Sequence, residues 1–187
     1  MQKKITRLIG EDIQVKKALL KHQLGPIEDL ARMMLATIKS GNKIMIFGNG
    51  GSAADSVHIA AELVGRFRKE RRPLPAIALS ANISIITALG NDYGFGAIFE
   101  RQVAALGKKG DMALGISTSG KSENVMRGII KASRLKMKTA CLTGKEKTRL
   151  SQIADCSIKV PSNNTPRIQE AHITIGHILC EIIEDAL

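Results

Sequence analysis

The sequence predicts an α/β fold: a three-layer αβα sandwich around a central, mainly parallel five-stranded sheet, preceded by two helices over about residues 3–40. Three observations carry the expectation. From Lys43 onward, short apolar runs alternate with helical stretches, the pattern of parallel βαβ units with strands covered on both faces. The first run ends in a glycine turn that opens directly into a helix, GNGGSAADSVHIAAE at 48–62. The chain has 187 residues, 44% of them apolar, and no repeat, linker or low-complexity stretch, so one domain over 1–187 is expected.

Each element follows from local pattern. Ile5, Leu8, Ile9, Ile13, Val15, Leu19 and Leu20 recur at helical spacing over 3–24. Gly25-Pro26 breaks that helix, and Pro26 opens a second to about Lys39, with Ile27, Leu30, Ala31, Met34, Leu35 and Ile38 on one stripe. Both stripes must be buried on the sheet or on another subunit. Strands are predicted at Lys43–Phe47, Ala76–Leu79, Met112–Ile116, Thr139–Thr143 and Ser157–Val160. Helices are predicted at Ala53–Leu63, Ile83–Leu89, Ala97–Leu106, Glu123–Lys136, near Thr148–Gln152 and at Arg167–Glu184, with Ser52 or Asp55 capping the first.

Composition narrows the function classes. No apolar run approaches the roughly 20 residues a membrane helix needs. The N-terminus, MQKKITRLIGEDIQVKK, lacks an apolar signal core, so a cytoplasmic protein without membrane contact is expected. Cys141, Cys156 and Cys180 show no CxxC spacing and read as free buried thiols. A net charge of +11 suits anionic partners. Aromatic residues make up only 3%, which leaves few stacking platforms and argues against nucleic acid. The densest basic run, Arg66-Phe67-Arg68-Lys69-Glu70-Arg71-Arg72, reads first as a solvated loop after the preceding helix. Attraction of a phosphate into a nearby cleft, or a nucleic-acid patch, are its other readings.

Four stretches can carry chemistry. The glycine turn places backbone N–H groups and a helix N-terminus at one spot, as an anion site requires. One turn on, His58 and Glu62 are four residues apart and share a face. A second loop, Ile116-Ser117-Thr118-Ser119-Gly120-Lys121-Ser122, sets hydroxyls and a glycine between a strand and a helix. It is not a Walker A loop. Both loops lie at the carboxyl ends of parallel strands, where such sheets bind ligands. Gly90-Asn91-Asp92-Tyr93-Gly94 reads as a turn, in which Asn91 and Asp92 could otherwise bond sugar hydroxyls. On the last helix, Gln169 and His177 lie about 80° apart on the wheel, with His172 on the other side of Gln169. His58, Glu62, Gln169 and His177 could together offer N and O ligands to a divalent metal such as Zn²⁺, although either helix histidine could equally be a satisfied structural one.

With these stretches in view, the sequence resembles the phosphoheptose isomerases of the sugar-isomerase (SIS) domain superfamily. The marks are GNGGSAADSVHIAAEL at 48–63, RPLPAIAL at 72–79, GNDYGF at 90–95, GISTSGKSENV at 115–125 and TPRIQEAHITIGHILC at 165–180. The resemblance implies an SIS-type sandwich and an aldose–ketose isomerase (EC 5.3.1.28) that converts sedoheptulose 7-phosphate to D-glycero-D-manno-heptose 7-phosphate through an enediol(ate), the first step of ADP-heptose supply for lipopolysaccharide or another surface glycan. It implies one Zn²⁺ per subunit, held by His58, Glu62, Gln169 and His177, with Glu62 and His177 as the acid/base pair. The implied substrate contacts are Asn49, Gly50, Gly51, Glu62, Asn91, Asp92, Ser117, Thr118, Ser119, Ser122 and Gln169. It also implies a homotetramer with sites at subunit interfaces, in which the two N-terminal helices find a partner.

Two details depart from the usual family pattern. Thr143-Gly144 leads into Lys145-Glu146-Lys147-Thr148 where glycines are common, and Ala81-Asn82 stands where an acidic residue is common. Both concern loop shape rather than matched catalytic positions. Two non-enzymatic readings exist within the superfamily: a regulator that binds the bacterial replication initiator protein, and a sugar-phosphate sensor. Neither needs an acid/base pair, and Glu62 and His177 together favour the enzyme.

Overall fold

The computed structural model describes residues 1–187 as eight α-helices and five strands. In chain order these are α1 (Gln2–His22), α2 (Leu24–Lys39), β1 (Ile44–Gly48), α3 (Gly51–Val64), β2 (Ala76–Ala78), α4 (Ile83–Tyr93), a 3-10 turn (Phe95–Ala97), α5 (Ile98–Leu106), β3 (Met112–Ser117), α6 (Glu123–Arg134), β4 (Lys138–Thr143), α7 (Arg149–Ile153), β5 (Cys156–Lys159) and α8 (Thr165–Asp185). The strands pair in the order β2-β1-β3-β4-β5, and every pair is parallel, so the sheet is wholly rather than mainly parallel.

Alternation along the strands divides the core in two. In β1, Ile44 and Ile46 join one cluster while Met45 and Phe47 join the other. The first cluster lies under α2, α3 and α8, where Leu30, Met34, Ile59, Leu63, Ile175 and Leu179 are buried. The second lies under α5, α6 and α7, where Phe47 stacks on Phe99 with centroids 5.0 Å apart. Burying each such side chain is worth about 1.5–3 kcal/mol. The stripe of α2 is thus covered by the chain's own sheet. That of α1 is covered only in part: Val15 and Leu19 are buried, but Ile5, Ile9, Ile13 and Leu20 stay exposed.

The predicted elements are all present, and the differences have local causes. The first helix ends at Gln23 rather than at Gly25-Pro26. Pro26 lies in the first turn of α2, where its missing N–H is not needed. Gly50 caps α3 in place of Ser52 or Asp55, because β1 turns into the helix through φ +55°, a backbone state that glycine tolerates. The stretch read as a turn at 90–94 is helical up to Tyr93: Asn82 caps α4 by accepting the Ile85 N–H at 3.1 Å, and the helix continues until Gly94. Cys141 and Cys180 are buried free thiols, but Cys156 is only half-buried on the edge strand β5. Burial pushes the Cys141 thiol up to about 11 and that of Cys180 up to about 12, which leaves both protonated and inert.

Candidate active site

The strand order reverses at β1, whose neighbours are β2 on one side and β3 on the other. The crevice beyond the carboxyl ends of β1 and β3 is the position where such sheets hold ligands, and both loops open there. In the glycine loop, a Cβ at Gly51 would run into the Gln169 amide, 2.8 Å from its Cδ, so the bare backbone is what admits α8 at that point. Asn49 and Asn124 exchange two side-chain hydrogen bonds of 2.9 Å, and Asn124 also accepts the Val125 N–H at 2.9 Å. This reciprocal pair ties the glycine loop to the start of α6.

The serine loop holds its own shape. Gly120, at φ +64°, lets its N–H reach Ser117 O at 3.1 Å. Ser117 Oγ and Ser122 Oγ are 2.9 Å apart, and Ser119 Oγ accepts the Lys121 N–H at 3.1 Å. The first turn of α6 adds N–H groups without intrahelical partners and the positive end of a helix. A cavity of about 220 Å³ separates Thr118, Ser119 and Lys121 from Lys145, Thr165 and Ile168, so α8 begins beside this loop.

From there α8 runs past Gln169 to His177. His58 Nε2 lies 3.1 Å from Glu62 Oε1 and 3.3 Å from His177 Nε2, and one ligand atom from each of the three falls within 4.8 Å of the others. Helices α3 and α8 can approach this closely because Gly176 has no side chain: a Cβ there would be 2.8 Å from Ile59 Cδ1. The donor set is two imidazole nitrogens and a carboxylate oxygen. Bonds of about 2.0–2.1 Å to a tetrahedral Zn²⁺ separate neighbouring donors by roughly 3.3 Å. The two short separations agree with that spacing, so these residues fit the metal implied by the sequence. Gln169 sits against the glycine loop on the same helix, two turns before His177.

Other titratable groups nearby have structural settings. Asp55, one turn before His58, has its carboxyl raised to about 6 by burial, against the lowering charge of His58. His172 is fully buried, and its Nε2 lies 3.2 Å from Thr143 O. Burial lowers its pKa to about 4 despite that hydrogen bond, so it is a neutral core histidine.

The structure therefore brings together His58, Glu62 and His177, and sets Asn49, Gly50, Gly51, Gln169 and the loop Ser117–Ser122 around the same crevice. It does not bring in Asn91 and Asp92: both are exposed on the last turn of α4, Asn91 donates to Asp92 Oδ1 at 2.8 Å, and neither bonds to either loop. A cavity of about 550 Å³ between Tyr93, Glu100, Arg101, Arg127 and Lys131 also lies away from this group.

The basic run is a largely exposed loop, as expected, but it is tied down at Phe67–Lys69 and Arg71. Phe67, Arg68 and Lys69 donate their N–H groups to the Glu184 carboxylate, Arg71 forms an ion pair with it, and Phe67 packs on His177. Sequence reasoning missed Glu184, Phe67 and Asn124. The available signals were an acidic residue on the apolar stripe of the last helix, an aromatic inside a charged run, and an amide directly after the serine loop.

Comparison with known proteins places this geometry. A family model described as the SIS domain matches residues 11–144. Over 185 residues the chain is 55% identical to the phosphoheptose isomerase of Aquifex aeolicus, a match that covers 99% of this chain and 97% of the relative. The chain belongs to the phosphoheptose isomerase family of SIS-domain proteins. The solved phosphoheptose isomerase of Neisseria gonorrhoeae superposes with a TM-score of 0.93 at 38% identity, covering 98% of each chain. That of Francisella tularensis gives 0.92 at 38% identity, covering 99% of this chain and 98% of the other. No helix is long and apolar enough to cross a membrane.

Proposed function

We propose that this chain is a zinc-dependent aldose–ketose isomerase that interconverts sedoheptulose 7-phosphate and D-glycero-D-manno-heptose 7-phosphate. The observation that carries the reading is the His58–Glu62–His177 group at metal-ligand spacing, set along α8 from a hydroxyl-rich loop at the switch point of the sheet.

In this reading Ser117, Thr118, Ser119 and Ser122, with the N-terminus of α6, hold the 7-phosphate. Asn49, Gly50 and Gly51 line the chain of hydroxyls, mainly through backbone groups, because the Asn49 amide is engaged by Asn124. Asn91 and Asp92 reach the sugar only if α4 comes from a neighbouring subunit or shifts. His58, Glu62, His177 and Gln169 hold zinc, which supplies Lewis-acid charge beside the sugar carbonyl when bound. Glu62 and His177 form the acid/base pair. One takes a proton from C1 of the ketose, exchanges it with solvent while the enediol(ate) stands, and delivers a proton to C2. The other takes the O1 proton and delivers a proton to O2. The regulator and sensor readings need neither residue.

A homotetramer with shared sites accounts for the surface. Val57, Val64, Ile178 and Ile182 are exposed on α3 and α8 beside the histidines, and Ile5, Ile9 and Ile13 are exposed on α1. Residues 1–187 then act as one SIS domain, with α1 and α2 contributing to the assembly. A cytoplasmic place at the start of ADP-heptose supply follows from the same reading. The test is incubation of the purified protein with sedoheptulose 7-phosphate, NMR of the product, and metal analysis of the same sample. Formation of the aldose 7-phosphate by zinc-containing protein is expected; a metal-bound protein that leaves the ketose unchanged overturns the proposal.

A further inference from the structure

Both members of the acid/base pair are attached to one segment. Glu184 lies seven residues after His177, hence two turns along the same face of α8. Its side chain is buried, and its carboxylate accepts the N–H groups of Phe67 at 3.0 Å, Arg68 at 2.7 Å and Lys69 at 2.9 Å. Arg71 Nε approaches the same carboxylate at 3.2 Å, pairing by charge rather than by an aligned hydrogen bond. The rest of the Arg71 guanidinium closes the end of α3, donating to Glu62 O at 2.8 Å, Leu63 O at 2.9 Å and Gly65 O at 3.1 Å. At the rim, Arg68 pairs with Glu181 and Lys69 with Asp185. The segment is therefore fixed at Phe67–Lys69 and at Arg71, and the Phe67 ring lies on the His177 imidazole, centroids 5.6 Å apart and tilted by 30°. On its other side His177 meets His58 edge-on, at 5.0 Å and 67°.

A buried carboxylate is a poor choice for stability alone, since an apolar side chain of similar volume avoids the desolvation penalty. Its advantage is a single, specified position for what it binds. We infer that residues 66–72 form a clamp, with Glu184 as its anchor and Phe67 as a positioning residue that fixes the His177 ring toward His58 and Glu62. The inference rests on the isomerase reading for its kinetic consequence, but the effect on metal binding is independent of turnover.

The experiment uses the full-length protein, with zinc affinity measured by chelator competition and kcat and KM measured on sedoheptulose 7-phosphate. Phe67→Leu keeps apolar bulk but removes the ring face, and Phe67→Tyr keeps the ring. Phe67→Leu is expected to weaken zinc binding and lower kcat by about tenfold each, with KM changed less than about twofold. Phe67→Tyr should return both to within about threefold of the parent. Glu184→Gln should move both in the same direction as Phe67→Leu, with circular dichroism confirming the fold. Unchanged zinc affinity and kcat in Phe67→Leu overturn the clamp, as does a Phe67→Tyr variant no better than Phe67→Leu. Parent protein that binds zinc without turning over the sugar overturns the isomerase reading instead, and the zinc measurements still decide the clamp.

Discussion

The serine loop draws its hydroxyls from six consecutive residues, Ser117–Ser122, whereas the His58–Glu62–His177 group joins side chains up to 119 positions apart. The loop is shaped by its own turn: Gly120 at positive φ, a hydroxyl pair, and the helix that follows. The metal-type group has local support only for its His58–Glu62 half. It exists because Gly176 lets α3 and α8 touch, because Gly51 admits Gln169, and because Glu184 and Arg71 hold a strap against the back of the site. Binding and chemistry are thus held by different means. Damage to the loop should act on substrate affinity, while damage to α3–α8 packing should act on turnover and metal.

The sharpest way to break this division is at the pair itself. Glu62→Gln and His177→Gln should each lower kcat by about 10²-fold or more, with circular dichroism unchanged. Near-parent turnover in either variant removes the assignment. The loop half should respond differently. Ser122→Ala deletes one of the paired hydroxyls and should raise KM about tenfold through a lost bond to a charged ligand, leaving kcat within about threefold. A fall in kcat without a rise in KM would erase the distinction between the two halves.

A smaller effect tests the core behind the site. His172 has a folded-state pKa near 4, below its ordinary 6.5, so between those values the unfolded chain binds more protons than the native one. Stability is therefore complete above about pH 6.5 and falls on acidification, by about 1 kcal/mol at pH 5.5 from this group. His172→Gln, which can still donate to Thr143 O, should flatten that part of the stability curve in urea titrations. An unchanged slope places the acid sensitivity elsewhere.

How much of this could be read in advance follows the same contrast. The five strands and the order of helices are local patterns, and they were legible within a few residues at each end. So were both loops, because strand–glycine–helix junctions announce themselves in consecutive residues. His58 and Glu62 share a helix face and were found by spacing, but spacing could not show that His177 meets them. That juxtaposition is a product of helix packing, and the family resemblance supplied it. Asn82 looked like a departure from the family pattern and is a helix cap. The stretch at 90–94 was misread because its turn-forming residues sit in a helix already started at Asn82 and stopped only by Gly94. Phe67 was invisible for the opposite reason, because charge-rich sequence between elements reads as solvated until its buried partner is seen, and that partner, Glu184, stands on a different element.

Proton transfer through an enediol(ate) by Glu62 and His177 can be followed by running the reaction in D₂O. Parent protein and Glu62→Gln are incubated with sedoheptulose 7-phosphate, and the aldose product is examined by NMR. Solvent deuterium is expected at C2 of the product made by the parent, with both conversion and label largely lost in Glu62→Gln. Conversion without deuterium at C2, or equal labelling by the variant, contradicts it.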